Sequence, residues 1–513
     1  MNVPSPGSSP GPSPDATPDA TPDATPKSAP GLGPKSTPGA APDPMGAPGP
    51  ARGASPLAAA LLAAIALELL ARLTGAGPIQ HAGWAALGLA VALSIPRLGL
   101  REGYLLVMCG ALAALAFVFA EAPGVEIGAA LDQAGFLLAF ILLIGLLHEA
   151  ASSSPAVAAC GGFLTRQPPG RRYYALNGGS ALLAVLFNVG VVSFLVPLIQ
   201  RGIERTTPGD ARNPVRERRQ ISALLRGFAW CVIWSPTAVA PIAVAALIPG
   251  VDRQLWMIYG FGAFLAVMVL GAAEDRWRHR HLRPGPAPAP MPTPWAAFAR
   301  FAAACGWLFG MTALVVWLTQ ETVIFGLLMA CPPMLVGWLL VQNGFPRARA
   351  VRPTASRLRM IMAEGLPRSA PVAITLACSG FIGRAGASLV PAQALAAALH
   401  LDAIPDFALL ALIPAALALL GLLAVSPIMM AIFFGSLFGA LPVLPADPTL
   451  LAFSISCGWA LSMTFSPFAT VVLLINRVGG VPARRLTWEW NLGFTALAAA
   501  MMWPLFWVLT GGA

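Results

Sequence analysis

Charge is scarce in this chain. Of its 513 residues, 11% are Asp, Glu, Lys or Arg against 57% hydrophobic, a ratio that a soluble chain of this length does not carry. Lysine is nearly missing: Lys27 and Lys35 are the only two, so arginine carries the net charge of +10. Those arginines gather in short connections instead of along a face or groove, which reads as membrane topology and gives no nucleic-acid-binding surface. Paired cysteines are missing too. Cys109, Cys160, Cys231, Cys305, Cys331, Cys378 and Cys457 stand singly in apolar surroundings, as small packing residues, with no metal site or disulfide framework. There is no His-x-x-x-His, no Gly-x-Ser-x-Gly and no pair of aspartates within an apolar stretch. The chain is therefore not expected to be an enzyme. Arginine in place of lysine, with abundant Ala, Gly and Pro, suits a GC-rich bacterial genome and points to a bacterial inner membrane.

What is present is a succession of apolar segments long enough to cross about 30 Å of hydrocarbon as helices. They run at 57–74, 80–96, 103–120, 133–150, 221–249, 254–273, 295–318, 323–343, 367–399, 449–476 and 488–510. Two further apolar stretches, 173–200 and 405–444, are punctuated at their middles. Residues 1–54 differ in kind: PDATPDATPDATP repeats within a Pro, Ala, Gly and Ser tract, which predicts a disordered cytoplasmic tail. It lacks a basic segment followed at once by an apolar core and so does not read as a simple signal peptide.

Basic connections stand at Arg97 with Arg101, at Arg166, Arg171 and Arg172, and at Arg201 to Arg226. Others lie at Arg276 to Arg283, at Arg347 to Arg359, and at Arg477, Arg484 and Arg485. Those at 121–132, 319–322, 400–406 and 445–448 carry acidic residues and no arginine. The stretch 173–200 lies between two basic connections and must enter and leave on the cytoplasmic side. At about a dozen residues per arm, roughly 18 Å of helix, it is expected to be a re-entrant hairpin. The stretch 405–444 lies between acidic connections; a hairpin is favoured there, with two full spans meeting at Ser426-Pro427 as the alternative.

The expected fold is all-α and polytopic: about 11 transmembrane helices plus two re-entrant hairpins in two inverted-topology repeats. Its parts are the tail 1–54, an extra first helix 55–78, repeat 1 at 79–273, a charged and Pro-rich cytoplasmic linker 274–294, and repeat 2 at 295–511. The N-terminus is then cytoplasmic and the C-terminus periplasmic. A homodimer is left open.

A phrase is written twice, GFAWCVIWSPTA from Gly227 and GWALSMTFSPFA from Gly458, each on the span after a hairpin. Proline at 236 or 467 removes a backbone donor and frees carbonyls that lipid cannot satisfy; such breaks belong where they line a cavity. The hairpin tips add polar atoms: Asn188, Gly190 and Ser193 in the first, Ser426 and Pro427 in the second. With Ser235, Pro236, Thr237, Ser466, Pro467 and Thr470 these form the expected substrate and ion site. His148 and Glu149, in GLLHEAAS, are candidates for moving a proton, and the corresponding GFIGRAGAS holds Arg384. Glu68 and Arg72 are expected to form an i,i+4 pair.

These features, in the order GLLHEAASSSP, PPGRRYY, FNVGVV and SPTA, then SGFIGRAGAS, VSPIMM and SPFA, resemble the ion transporter superfamily. Within it the resemblance is to the divalent anion:sodium symporter family of dicarboxylate carriers, over about 79–511. It implies that tips and breaks together form the substrate and coupling-ion sites and that one domain moves as an elevator past a scaffold. The expected function is ion-coupled secondary transport of a small anionic solute, a carboxylate or inorganic oxyanion, with Na⁺ or H⁺ as coupling ion and no other cofactor. The alternatives are a cation/proton antiporter or metalloid-oxyanion exporter of the same superfamily, and a non-transporting membrane protein on this fold.

Overall fold

The computed structural model describes residues 55–282, 292–346, 348–423 and 425–512. The tail 1–54 and most of the Pro-rich part of the linker lie outside them. The described residues form α-helices with short 3₁₀ and π segments and no strand. Eleven of these helices are long and apolar enough to cross a membrane, and the protein is an all-α, multi-pass membrane protein.

Proline sets many of the helix starts, where its missing N–H costs nothing. A first helix, α1 (Pro56–Thr74), precedes α2 (Gly77–Ser94), α3 (Leu100–Phe119), α4 (Pro123–Ser152) and the short α5 (Pro155–Thr165). Next come α6 (Pro169–Phe187), α7 (Gly190–Thr206), α8 (Asn213–Cys231), α9 (Val239–Leu247) and α10 (Arg253–Arg278). After the linker follow α11 (Trp295–Thr319), α12 (Val323–Gln342), α13 (Val351–Met360), a π turn at Ile361–Gly365, α14 (Leu366–Ser388) and the short α15 (Ala392–Ala398). The chain closes with α16 (Asp406–Leu420), α17 (Pro427–Gly439), α18 (Pro448–Phe465), α19 (Thr470–Gly479), a second π segment at Arg485–Asn491 and α20 (Leu492–Leu509).

From α4 to α10 and from α14 to α20 the same order recurs: a long helix, a short one, a bent pair, a broken helix, a closing helix. Packing follows it. The first arm of each pair lies on its own broken helix, α6 on α8 and α16 on α18. The second arms cross over, α7 against α19 and α17 against α9. Helices α4 and α14 pack on each other at the centre, whereas α2, α3 and α11 are mostly exposed. Outward-facing Val107, Phe117, Val118, Trp307 and Trp317 suit a lipid boundary. On α1, outside the recurring order, Arg72 Nε meets Glu68 Oε1 at 2.6 Å, as the i,i+4 spacing predicts.

Several boundaries differ from expectation, for one reason: hydropathy marks where a helix is apolar, not where it ends. The span expected at 133–150 begins at Pro123, and the acidic connection 121–132 is mostly its first turns; there Asp132 accepts from Gln80 Nε2 at 2.7 Å and Trp84 Nε1 at 2.8 Å. The basic connection at Arg347 to Arg359 is largely helix α13. The arms of the first bent pair are 19 and 17 residues long, not a dozen, because each continues through polar residues outside its apolar part. That removes the length argument for re-entrance, although neither arm is among the helices apolar enough to span. The second pair is unequal: α16 with its 3₁₀ end is long enough, while α17 has 13 residues, about 20 Å of helix.

Candidate functional site

Both Ser-Pro phrases break their helices. In the first, α8 stops at Cys231 and α9 starts at Val239; in the second, α18 stops at Phe465 and α19 starts at Thr470. Proline alone does not decide this, since Pro197, Pro332, Pro371, Pro414 and Pro504 all lie inside continuous helices. At the breaks the chain gains partners in exchange for its lost helical bonds. Thr237 Oγ1 donates to the Val185 carbonyl in the last turn of α6 at 2.6 Å. Ser466 Oγ donates to the Gly421 carbonyl at the end of α16 at 2.6 Å and accepts from Phe468 N at 3.1 Å. Each broken helix thus caps the first arm beside it, satisfying a carbonyl that a helix end leaves open.

The glycines of the repeated phrase explain how the arms come so close. A Cβ on Gly227 would overlap the Asn177 carbonyl oxygen and Ser180 Oγ of α6; one on Gly458 would lie 2.7 Å from Leu417 Cδ1 and 3.0 Å from Pro414 Cα of α16. Serine hydroxyls cross the same seams, Ser180 to the Leu224 carbonyl at 3.2 Å and Ser454 to the Leu410 carbonyl at 2.6 Å. Close backbone approach through small residues is how membrane helices pack without a hydrophobic driving force.

Where tips and breaks converge there is a cavity of about 100 Å³. Asn188 and Val189 line it from the first tip; Ser426, Pro427 and Ile428 from the second. Ser235, Thr237 and Ala238 come from the first break, and Thr470 and Val471 from the start of α19. Helices α4 and α14 close it with Ile141, Val372 and Leu376. Of the expected site residues, Asn188, Ser235, Thr237, Ser426, Pro427 and Thr470 are brought together. Gly190, Ser193, Pro236, Ser466 and Pro467 are not in the lining: the Ser466 hydroxyl is spent on Gly421, and Ser193 lies a turn along α7. The sequence reading missed Phe228 of α8, Val232 just past its end, and Trp459 and Met463 of α18, all of which line the cavity. Their signal was present, since Phe228 and Trp459 each follow the repeated glycine and Val232 and Met463 stand four residues further on the same face.

No lining residue among those described carries a formal charge. Four helix N-termini reach the cavity instead: α7 at Val189, α9 at Ala238, α17 at Ser426 and α19 at Thr470. None has a side-chain cap from its N-cap residue, which they share with most helices here, such as α2, α6, α11 and α16; what sets these four apart is that they meet at one cavity. Each end carries about half a positive charge, and those of α9, α17 and α19 keep orphan N–H groups, whereas at α7 the N–H groups of Val191 and Val192 already bond to the Asn188 and Val189 carbonyls. At the first tip Asn188 adopts φ 47° and ψ −135°, outside the left-handed helical well and in a region that glycine enters most easily. Its Oδ1 accepts from Val189 N at 2.8 Å, leaving the amide nitrogen available to the cavity.

His148 stands just outside. A Cβ on Gly190 would overlap its ring, so imidazole and first tip are in direct contact, and its buried Nδ1 has no hydrogen-bond partner. Glu149 lies near Gly365 of the π turn, 3.7 Å from Cγ to the position a Cβ would take. The corresponding end of α14 packs on the other tip helix, Gly383 against the Met429 carbonyl and Ile432 of α17.

No family model matches this chain, and no curated protein sequence does. Among solved structures it is similar to the YdaH transporter of Alcanivorax borkumensis. The TM-score is 0.51 at 14% identity, over 80% of this chain and 98% of that one. The likeness is one of fold. It does not single out the divalent anion:sodium symporters, for which the sequence motifs remain the only support.

Proposed function

We propose that the protein is a secondary active transporter of a small anion, a carboxylate or inorganic oxyanion, bound where the two tips and two breaks meet. The observation that carries this reading is the convergence of four uncapped helix N-termini on one cavity without charged side chains. Such an arrangement favours an anion through dipoles and N–H groups, and broken helices meeting at a cavity are where secondary transporters hold their solutes. In this reading the two bent pairs are re-entrant hairpins of inverted repeats, 79–273 and 295–511, and alternating access follows from exchange of their conformations. The fold shared with a YdaH transporter supports transport in general.

For coupling, the geometry favours a proton over sodium. The carbonyls of Val185 and Gly421, oxygens of the kind a sodium ion would want, each already accept a hydroxyl, from Thr237 and Ser466, and so keep one lone pair apiece. His148 lies against the first tip with Nδ1 unpartnered, where a change of charge would act directly on Gly190. The test is a melting panel of purified protein against dicarboxylates, tricarboxylates, sulfate, arsenite and monocarboxylates, each with Na⁺ or K⁺ at pH 5.5 and 7.5. One of these anions should raise Tm saturably, with dependence on pH and not on Na⁺. Asn188→Gly, which suits the backbone and removes the carboxamide, should weaken that response. No shift across the panel in protein that melts cooperatively overturns the anion reading and leaves antiport of cations or a non-transporting role.

A further inference from the structure

At the other end of α6 from the central cavity, α6, α8 and α10 enclose a second cavity of about 40 Å³. It shares no lining residue with the first. Arg172, Tyr173, Arg216, Arg219, Gln220 and Asp275 line it, so three guanidinium groups meet one carboxylate. Asp275 is held by Arg219 in a forked pair, Nη2 to Oδ2 at 2.7 Å and Nε to Oδ1 at 3.1 Å, and His279 Nδ1 also approaches it at 3.4 Å. Arg216 is paired with Asp210 at 2.8 Å, away from the cavity lining. Arg172 has no carboxylate partner among the described residues; its Nε donates to the Gln167 carbonyl at 2.7 Å. Gln220, 4% exposed, has no side-chain hydrogen bond to any described residue. Unneutralised positive charge and an unpartnered buried amide therefore face the same small space.

We propose that this cavity binds a phosphate group, carried by a soluble anion or by the headgroup of an anionic phospholipid. Like charges gathered at partial burial repel one another, and an anion between them removes that cost. The guanidinium fork matches phosphate oxygens, and the positive end of α6, which starts at Pro169 beside the cavity, adds to the attraction. Basic pockets between spans at arginine-rich ends are where headgroups are held. Occupancy would tie the bases of α6, α8 and α10 together, and with them the foot of the first tip.

The test uses the full chain in detergent and in native mass spectrometry. Inorganic phosphate is titrated against potassium chloride at equal ionic strength, and phosphatidylglycerol is compared with phosphatidylcholine, following Tm and retained adducts. The wild type should respond to at least one phosphate probe beyond its control. Arg172→Gln should weaken the response roughly tenfold, and Gln220→Leu, which leaves every ion pair in place, by a smaller factor. A response to phosphatidylglycerol alone assigns the site to a lipid headgroup; a response to inorganic phosphate assigns it to a soluble anion. If neither probe exceeds its control, or both variants respond like the wild type, the proposal is overturned. Should Arg172→Gln fail to fold, an unchanged response in Gln220→Leu overturns it alone.

Discussion

In the first unit α8 ends at Cys231, the chain runs without helix to Ala238, and Thr237 reaches back to the Val185 carbonyl; in the second α18 runs to Phe465 and Ser466 itself bonds to Gly421. The serines of the two Ser-Pro pairs are thus equivalent in sequence and unequal in work. Among the described residues the Ser235 hydroxyl meets only that of Thr237, at 3.1 Å, whereas the Ser466 hydroxyl holds a neighbouring helix end. The tips differ as well. Asn188 turns the first with positive φ, while Ser426, at φ −67° and ψ 136°, opens α17 from ordinary extended backbone. What recurs is a requirement, a hydroxyl for a carbonyl left open where lipid offers no water, and either unit meets it with whichever residue its backbone brings near.

The largest expected losses lie at the two seams. Gly227→Ala forces a Cβ onto the Asn177 backbone, which cannot yield, and should cost about 3 kcal/mol. Gly458→Ala meets Leu417 Cδ1 and Cβ at 2.7 and 2.8 Å and the Pro414 Cα only at 3.0 Å, a milder overlap that should cost about 2 kcal/mol; comparison of Tm values in detergent decides, and equal losses would break the distinction. Middle-sized losses concern the hydroxyls. Thr237→Val and Ser466→Ala each strand a buried carbonyl and should cost about 2 kcal/mol, while Ser235→Ala should stay within about 0.5 kcal/mol; Thr237→Ser should recover the loss. If Ser235→Ala proves as costly as Ser466→Ala in denaturant or thermal unfolding, equivalence in sequence governs after all. The smallest effect is at the tips. Asn188→Ala, placing a Cβ residue without a local bond at φ 47°, should lose about 1 kcal/mol that Asn188→Gly does not, and Ser426→Ala, in ordinary backbone and with no capping bond, should change Tm less than either.

The repeated phrase made the two breaks legible, because an unsupported Ser-Pro in an apolar segment has few other uses and its recurrence marks corresponding places. The polar tip residues Asn188 and Ser426 were legible for the same reason. Phe228 and Trp459 stand at matched places of the repeated phrase, yet the phrase does not mark them as cavity wall, since which face of α8 or α18 points inward depends on where α6 and α16 pack. The arginines at 172, 216 and 219 were read only as topology. Their convergence on one cavity requires α6 and α8 to lie side by side, which no spacing along the chain states.

By itself the sequence determined the all-α membrane class and the number of segments apolar enough to span, and the repeated Ser-Pro phrase marked where two helices break, because the burial of apolar runs and a recurring phrase are local properties of the chain. Only the tertiary structure decided how far each helix extends past its apolar part, which hydroxyl closes which carbonyl, and which four helix ends share a cavity. Those depend on distances between segments remote in sequence, and such distances are set by how small residues let the helices pack.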